Sequence, residues 1–257
     1  MSILFADSNC DIKSNQIKQF GIEYINMPFS CSNNEIDLVS VDYFEETFKP
    51  YLEQGNNLVY VHQGEFYFNS YSNLKKAIRR LKTEYPDNTI YLVDSEATSS
   101  GYAFIVYLAM LKYKTGCNEV DLVNYINKIK KEVAVLFTLN NAKGLNKKGV
   151  NITIENALIK PVIKVENNKF EVVEKVTNRN KTIQSFINGF AKFGENVADY
   201  PIFISYSGNE IDAKELVKSI EENLGKDVKI LVNTLSEYNE YLTSAKTLFI
   251  AFHKKVD

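Results

Sequence analysis

Two apolar runs end in the same way, Ile3-Leu4-Phe5-Ala6-Asp7-Ser8 and Ile90-Tyr91-Leu92-Val93-Asp94-Ser95, each passing into a hydroxyl-bearing turn ahead of a helical pattern. Strand, turn and helix in that order form the unit of a parallel sheet, because parallel strands need a crossover connection. In an open α/β sheet, ligands gather beyond the C-terminal ends of strands, where helix N-termini present unpaired N–H groups to anions. Asp7, Ser8, Ser95 and Ser100 are therefore candidate ligand contacts. The plainer alternative is that such carboxylates and hydroxyls cap a neighbouring helix or tie down a loop.

The same alternation runs through the first half. Strands are predicted at 3–6, 22–27, 58–62, 89–93 and 133–138, and helices at 13–20, 42–54, 71–85, 98–115 and 119–131. Asp42 and Glu45 stand at capping-box spacing, and Gly21, Gly55 and Gly116 close three of the helices. Residues 29–38 read as a polar irregular stretch. Residues 140–151, polar and punctuated by Gly144 and Gly149, are the best linker candidate, dividing the chain into domains at 1–150 and 151–257. Beyond it, a hairpin over 162–166 and 170–176 turning at Asn167-Asn168-Lys169 precedes helices 179–193, 210–224 and 236–243. These alternate with strands 201–206, 228–233 and 247–252. The fold class expected is α/β: a mostly parallel N-terminal domain and a smaller C-terminal one.

Composition removes several functions. Across 257 residues, 30 Lys and Arg balance 32 Asp and Glu and are dispersed, leaving no electrostatic footprint for nucleic acid. The start carries no basic segment followed by an apolar one, as a signal peptide would. The longest apolar run, 102–111, is far short of the roughly 20 residues of a membrane span. Cys10, Cys31 and Cys117 are odd in number and widely separated, which fits a reducing cytoplasm. With only His62 and His253, a His-rich metal site is not expected. The helix at 102–113 is apolar nearly all round, so it is either a central core helix or one that also lines an apolar tunnel.

The opening Asp7-Ser8 with Cys10-Asp11, Asp94-Ser95 followed by Ser100-Gly101, and Ile159-Lys160-Pro161 together resemble the DegV family. The resemblance implies two α/β domains enclosing a long-chain fatty acid, the second closing the tunnel. It implies a non-catalytic acyl carrier that presents the carboxylate to a separate fatty-acid kinase, which supplies ATP and magnesium so that no cofactor need bind here, with transient membrane contact compatible with that role. A buried carboxylate needs hydrogen-bond donors. Those that the family uses resemble residues 36–40, where Ser40 keeps the hydroxyl, and residues 65–71, where Ser70 and Tyr71 match while Phe68 replaces a serine. His62 at a strand end is a further lipid-binding candidate, and Arg179 a candidate contact for a partner or a transferring phosphoryl group. Their plainer roles are N-caps for Ser40 and Ser70, a core histidine for His62 and a helix start for Arg179.

The arginine of a family loop near Lys143-Gly144-Leu145 is missing here, and of a terminal His-Thr-Gly-Pro-Gly only Thr243 remains. A paralogue that binds lipid without supporting acyl phosphorylation is thus the alternative. An independent hydrolase or phosphatase has no nucleophile elbow, phosphate loop or carboxylate cluster to support it.

Overall fold

The computed structural model describes residues 2–32, 35–154, 159–166, 169–195, 198–208 and 210–255. β1 (Ser2–Asp7) runs into a 3-10 turn at Ser8–Cys10, followed by α1 (Ser14–Gln19), β2 (Glu23–Ile25), β3 (Cys31–Ser32) and β4 (Glu35–Ile36). Then come α2 (Val41–Glu53), β5 (Asn57–His62), α3 (Tyr71–Glu84), β6 (Ile90–Asp94), α4 (Ser99–Tyr113) and α5 (Glu119–Ile129). The second half contains β7 (Val133–Thr138), α6 (Lys143–Asn146), β8 (Lys160–Glu166), β9 (Lys169–Val176), α7 (Arg179–Phe193) and β10 (Ile202–Tyr206). It closes with α8 (Glu210–Leu224), β11 (Ile230–Thr234), α9 (Glu237–Thr243) and β12 (Leu248–His253).

The first sheet has the order β2-β1-β5-β6, and every pairing in it is parallel. The second is mixed, with order β11-β10-β12-β7-β8-β9, parallel only between β10 and β11. The molecule is thus a two-domain α/β structure. The stretch 29–38, expected to be irregular, contains the small β3–β4 hairpin. α2 is capped by Ser40, whose Oγ accepts the Tyr43 N–H, rather than by Asp42. Asn167 and Asn168 of the expected hairpin turn lie outside the described residues.

Strand alternation sorts the side chains into three apolar layers. Phe5, Leu58 and Tyr60 face outward onto Phe44 and Phe48 of α2 and Leu74 and Ile78 of α3. Leu4, Ala6, Val59, Val61 and Val93 face inward onto α4. The inner face of the second sheet, with Val135, Phe137, Ile163, Phe203 and Phe249, meets the same helix from the other side. Its outer face, through Leu136, Ile204 and Ile250, is covered by Phe186 of α7 and Leu216 of α8.

α4 is therefore apolar all round because a sheet lies on each side of it; Tyr102, Ala103, Phe104 and Ile105 are fully buried. Its first turn comes so close to β7 that a Cβ on Gly101 would lie 2.6 Å from Val135 Cγ2. β7 belongs to the second sheet, so the change of sheet falls between β6 and β7, ahead of the division after residue 150 read from the sequence. Residues 140–151 do not run free between sheets. α6 packs on α9 so tightly that a Cβ on Gly144 would meet Leu242 O at 2.5 Å, and Ala142, Leu145 and Val150 are buried. Among the described residues, no helix is long and apolar enough to cross a membrane.

Candidate functional site

In a sheet ordered β2-β1-β5-β6, the chain turns back between β1 and β5, and the crevice past their C-terminal ends is the place for a ligand. A buried polar network occupies that place. Gln63, just past β5, accepts from Asn9 Nδ2 at 3.2 Å and donates to Asn239 Oδ1 at 3.0 Å. The Thr98 hydroxyl donates to the same Asn239 oxygen at 2.8 Å. Asn239 Nδ2 in turn donates to Asn9 O at 2.8 Å and to Asp11 Oδ1 at 2.9 Å. Asn239 comes from α9, so the second half supplies the hub of a network whose other side chains belong to the first.

Asp11 also accepts from the Ser99 hydroxyl at 2.7 Å and from the Ser236 N–H at 2.8 Å. Burial raises its carboxyl to about 6 against these bonds. The backbone is strained here: Asp11, Glu96 and Ser99, none of them glycine, hold φ of 59°, 55° and 51°. Such conformations persist only where surrounding contacts over-determine them, and they cluster at functional sites.

Asp7 is fully buried at the end of β1 and accepts from the Asn9 N–H at 2.9 Å and the Tyr60 hydroxyl at 2.8 Å. The Tyr102 hydroxyl lies 2.6 Å from Val61 O and 3.0 Å from Asp7 Oδ2. One phenolic hydrogen cannot serve both oxygens. If it goes to Val61, the contact with Asp7 is a hydrogen bond only when Asp7 holds a proton. Burial, which pushes this carboxyl upward, acts in the same direction, opposed by the bonds from Tyr60 and Asn9.

The sequence-predicted residues divide by position. Asp7, Ser8, His62, Ser95 and Ser100 lie on the C-terminal rim of the first sheet. Ser8 Oγ accepts the Met27 N–H at 3.1 Å, and Ser95 closes a local turn with Ala97. The Ser100 Oγ is buried with no partner. His62 packs among Tyr60, Phe68 and Tyr71. Its Nδ1 lies 2.7 Å from Gln63 O; a carbonyl only accepts, so Nδ1 carries the hydrogen and Nε2 is left a buried acceptor without a donor. Burial lowers the histidine pKa and keeps the ring neutral.

Ser70 Oγ accepts the Val39 N–H at 2.8 Å and retains its own hydrogen to donate. Ser40 is exposed at the start of α2. Arg179 is not brought into this group: at the start of α7 it pairs with Asp212 at 2.6 Å and Glu215 at 3.0 Å on α8.

Sequence reasoning missed Gln63, Thr98, Tyr102 and Asn239. Asp11 stood inside the opening motif, which was a usable signal. Nothing local marks Asn239, since its partners lie at the other end of the chain.

A cleft of about 460 Å³ opens beside this network, bounded by Ser8, Asn9, Asp11 and Met27 from the first half and Ser236 and Tyr238 from the second. Its size falls in the range of roughly 300–1,000 Å³ usual for ligand sites. Deeper in, two small cavities border the β7 and β12 side of the domain interface. One, of about 30 Å³, is bounded by Tyr67, Ala97, Thr98, Val133, Val135 and Val165 together with the charged Glu96, Lys130, Lys131, Glu166 and Lys254. The other, of about 10 Å³, is bounded by Tyr67, Thr98, Phe137, Phe170, Leu242 and Phe249.

A family model described as an uncharacterised protein of the DegV family matches residues 32–239. A DegV domain-containing protein of Clostridium perfringens is 24% identical over 260 residues, covering 89% of this chain and 89% of its own. Among solved structures, a DegV family protein from Eubacterium eligens loaded with heptadecanoic acid superposes with TM-score 0.85 at 15% identity, covering 99% of this chain and 100% of that one. The Streptococcus pneumoniae fatty acid kinase B3 protein loaded with linoleic acid gives TM-score 0.82 at 16% identity, covering 99% and 100%.

Proposed function

The chain belongs to the DegV family, and from that premise we propose that it binds a long-chain fatty acid between its two halves and performs no chemistry on it. The observation that carries this reading is the fit of the whole fold to relatives loaded with heptadecanoic and linoleic acids. The polar strand ends beside an apolar domain interface are consistent with it, because a fatty acid needs donors at one end and dry surface along the rest. The Ser70 hydroxyl, with its hydrogen uncommitted, is the donor we assign to the carboxylate. Asp7, Ser8, Ser95, Ser100 and His62 form the surrounding polar rim, and Ser40 its exposed edge.

By analogy with the fatty acid kinase B3 protein, the bound carboxylate is presented to a partner kinase that supplies the phosphoryl group. Arg179 serves that partner only if Asp212 and Glu215 release it. A second reading, a lipid-binding paralogue without a kinase, is favoured by Phe68 standing where the family resemblance calls for a serine.

Mass spectrometry of lipid extracted from natively purified protein, against protein denatured and refolded without lipid, tests the reading. A stoichiometric fatty acid is expected from the first sample only. A protein that arrives empty and takes up no added acid refutes it. Acyl-phosphate formation on addition of a fatty-acid kinase with ATP separates the carrier from the paralogue.

A further inference from the structure

Lys148 follows α6 in the second half, and its side chain reaches across the domain interface to the loop 64–70 of the first. Its Nζ donates to Phe66 O at 3.2 Å and to the Asn69 side-chain oxygen. Tyr238 pins the same loop, its hydroxyl donating to Tyr67 O and accepting the Asn69 N–H at 3.2 Å. Asn69 is thus held directly ahead of Ser70, the donor assigned to the acid.

The Lys148 amine is half-buried, yet among the described residues no carboxylate pairs with it. Lys130, Lys164 and Lys254 are also partly buried, and each meets a glutamate, at 2.7, 2.9 and 2.7 Å. Glu65, the acidic residue of the loop, pairs instead with Lys75 at 3.7 Å. Burying a charge is costly unless an opposite charge offsets it. Burial alone lowers the Lys148 pKa to about 8, with no anion to hold it up. Both oxygens that it bonds are neutral amide oxygens, and they take two of the three ammonium hydrogens. A strap between the halves would account for those two bonds, but not for a charge left without its opposite.

We propose that Lys148 is the counter-ion of the fatty-acid carboxylate and the residue that selects ionised acids over neutral lipids. Ser70 donates from the first half and Lys148 from the second, so the head group is gripped from both sides of the interface. This rests on the fatty-acid reading above.

The test compares myristate with its neutral analogue tetradecanol by displacement of a fluorescent polyene fatty acid from wild type, Lys148→Met and Lys148→Arg. Each protein's affinity for the probe is determined first, and its fold is checked by circular dichroism. Wild type is expected to prefer the acid by about tenfold or more. Lys148→Met is expected to lose that preference by weakening the acid alone, and Lys148→Arg, which keeps the charge, to retain most of it. Equal weakening of acid and alcohol in Lys148→Met marks a strap and overturns the counter-ion, as does an unchanged preference. Wild type that binds the alcohol as tightly as the acid also overturns it while leaving lipid binding intact. No uptake of either by wild type sinks the fatty-acid reading and this inference together.

Reductive methylation of wild type, followed by peptide mass spectrometry, decides the matter without a variant. Lys148 is expected to react several-fold faster in protein stripped of lipid than in protein loaded with myristate, while an exposed lysine such as Lys82 reacts alike in both. Equal rates at Lys148 in the two states overturn the pairing.

Discussion

Asn239 Nδ2 donates to Asp11 Oδ1 at 2.9 Å across 228 positions of sequence. The bond joins α9 of the second half to the turn that follows β1, and both residues are buried. It makes the domain interface a polar latch set into an apolar contact.

Removing the hub strands its partners. Asn239→Ala leaves Gln63, Thr98 and the Asn9 carbonyl each short of a hydrogen bond, at about 1–3 kcal/mol for a buried group left unsatisfied. We expect a loss of about 3 kcal/mol in unfolding free energy, read from the urea midpoint; a loss within about 0.5 kcal/mol would mean that the network is worth nothing net.

Asp11 predicts a pH dependence. Its folded-state carboxyl is raised from 3.8 to about 6 by burial, so the folded protein holds this proton more tightly than the unfolded chain. The resulting stability is fully present below about pH 4 and lost as pH rises through about 6, amounting to about 3 kcal/mol. Asp11→Asn keeps an oxygen for the Ser236 N–H and Asn239 while removing the titration. Urea unfolding near pH 4 and near pH 7 should show a smaller fall in stability for the variant than for wild type; parallel falls in the two proteins would contradict the assignment.

Ser70→Ala removes the acceptor of the Val39 N–H together with the donor assigned to the ligand carboxylate. About 1–2 kcal/mol of stability should go, and acid affinity should drop about tenfold. Retention of the same lipid in the same amount through purification would count against Ser70 as the head-group contact.

Gly101→Ala should destabilise despite the better helix propensity of alanine. Its Cβ would stand 2.6 Å from Val135 Cγ2, and a β-branched side chain in a buried strand has little room to yield. We expect a loss of about 1–2 kcal/mol. In a double-mutant cycle with Val135→Ala the two changes should couple favourably; simple additivity would show that the contact relaxes without cost.

The first sheet was legible because its strands and crossover helices follow one another along the chain, each with its own hydrophobic period and glycine stop. The family likeness was carried by short motifs at strand ends, where chain turns and ligand contacts coincide. Other features were hidden for physical reasons. Strand 133–138 has the same apolar pattern whichever sheet takes it, so its pairing with β8 and β12 could not be read from its residues. Asn239 is an ordinary polar residue on a short helix until the fold brings the first turn against it. Ser40, by contrast, reads correctly as a helix cap from its neighbours alone, since the Tyr43 N–H that it satisfies is three residues away.

The position of α4 has a mechanical consequence. Because both sheets rest on opposite flanks of this one helix, the halves cannot part like jaws: any hinge motion must peel one sheet from α4 and wet the flank it leaves, at about 25 cal/mol for each Å² of apolar surface uncovered. On the fatty-acid reading proposed above, the acid has to be admitted by side chains and short loops yielding in place, so its passage should follow local fluctuations rather than the separation of domains.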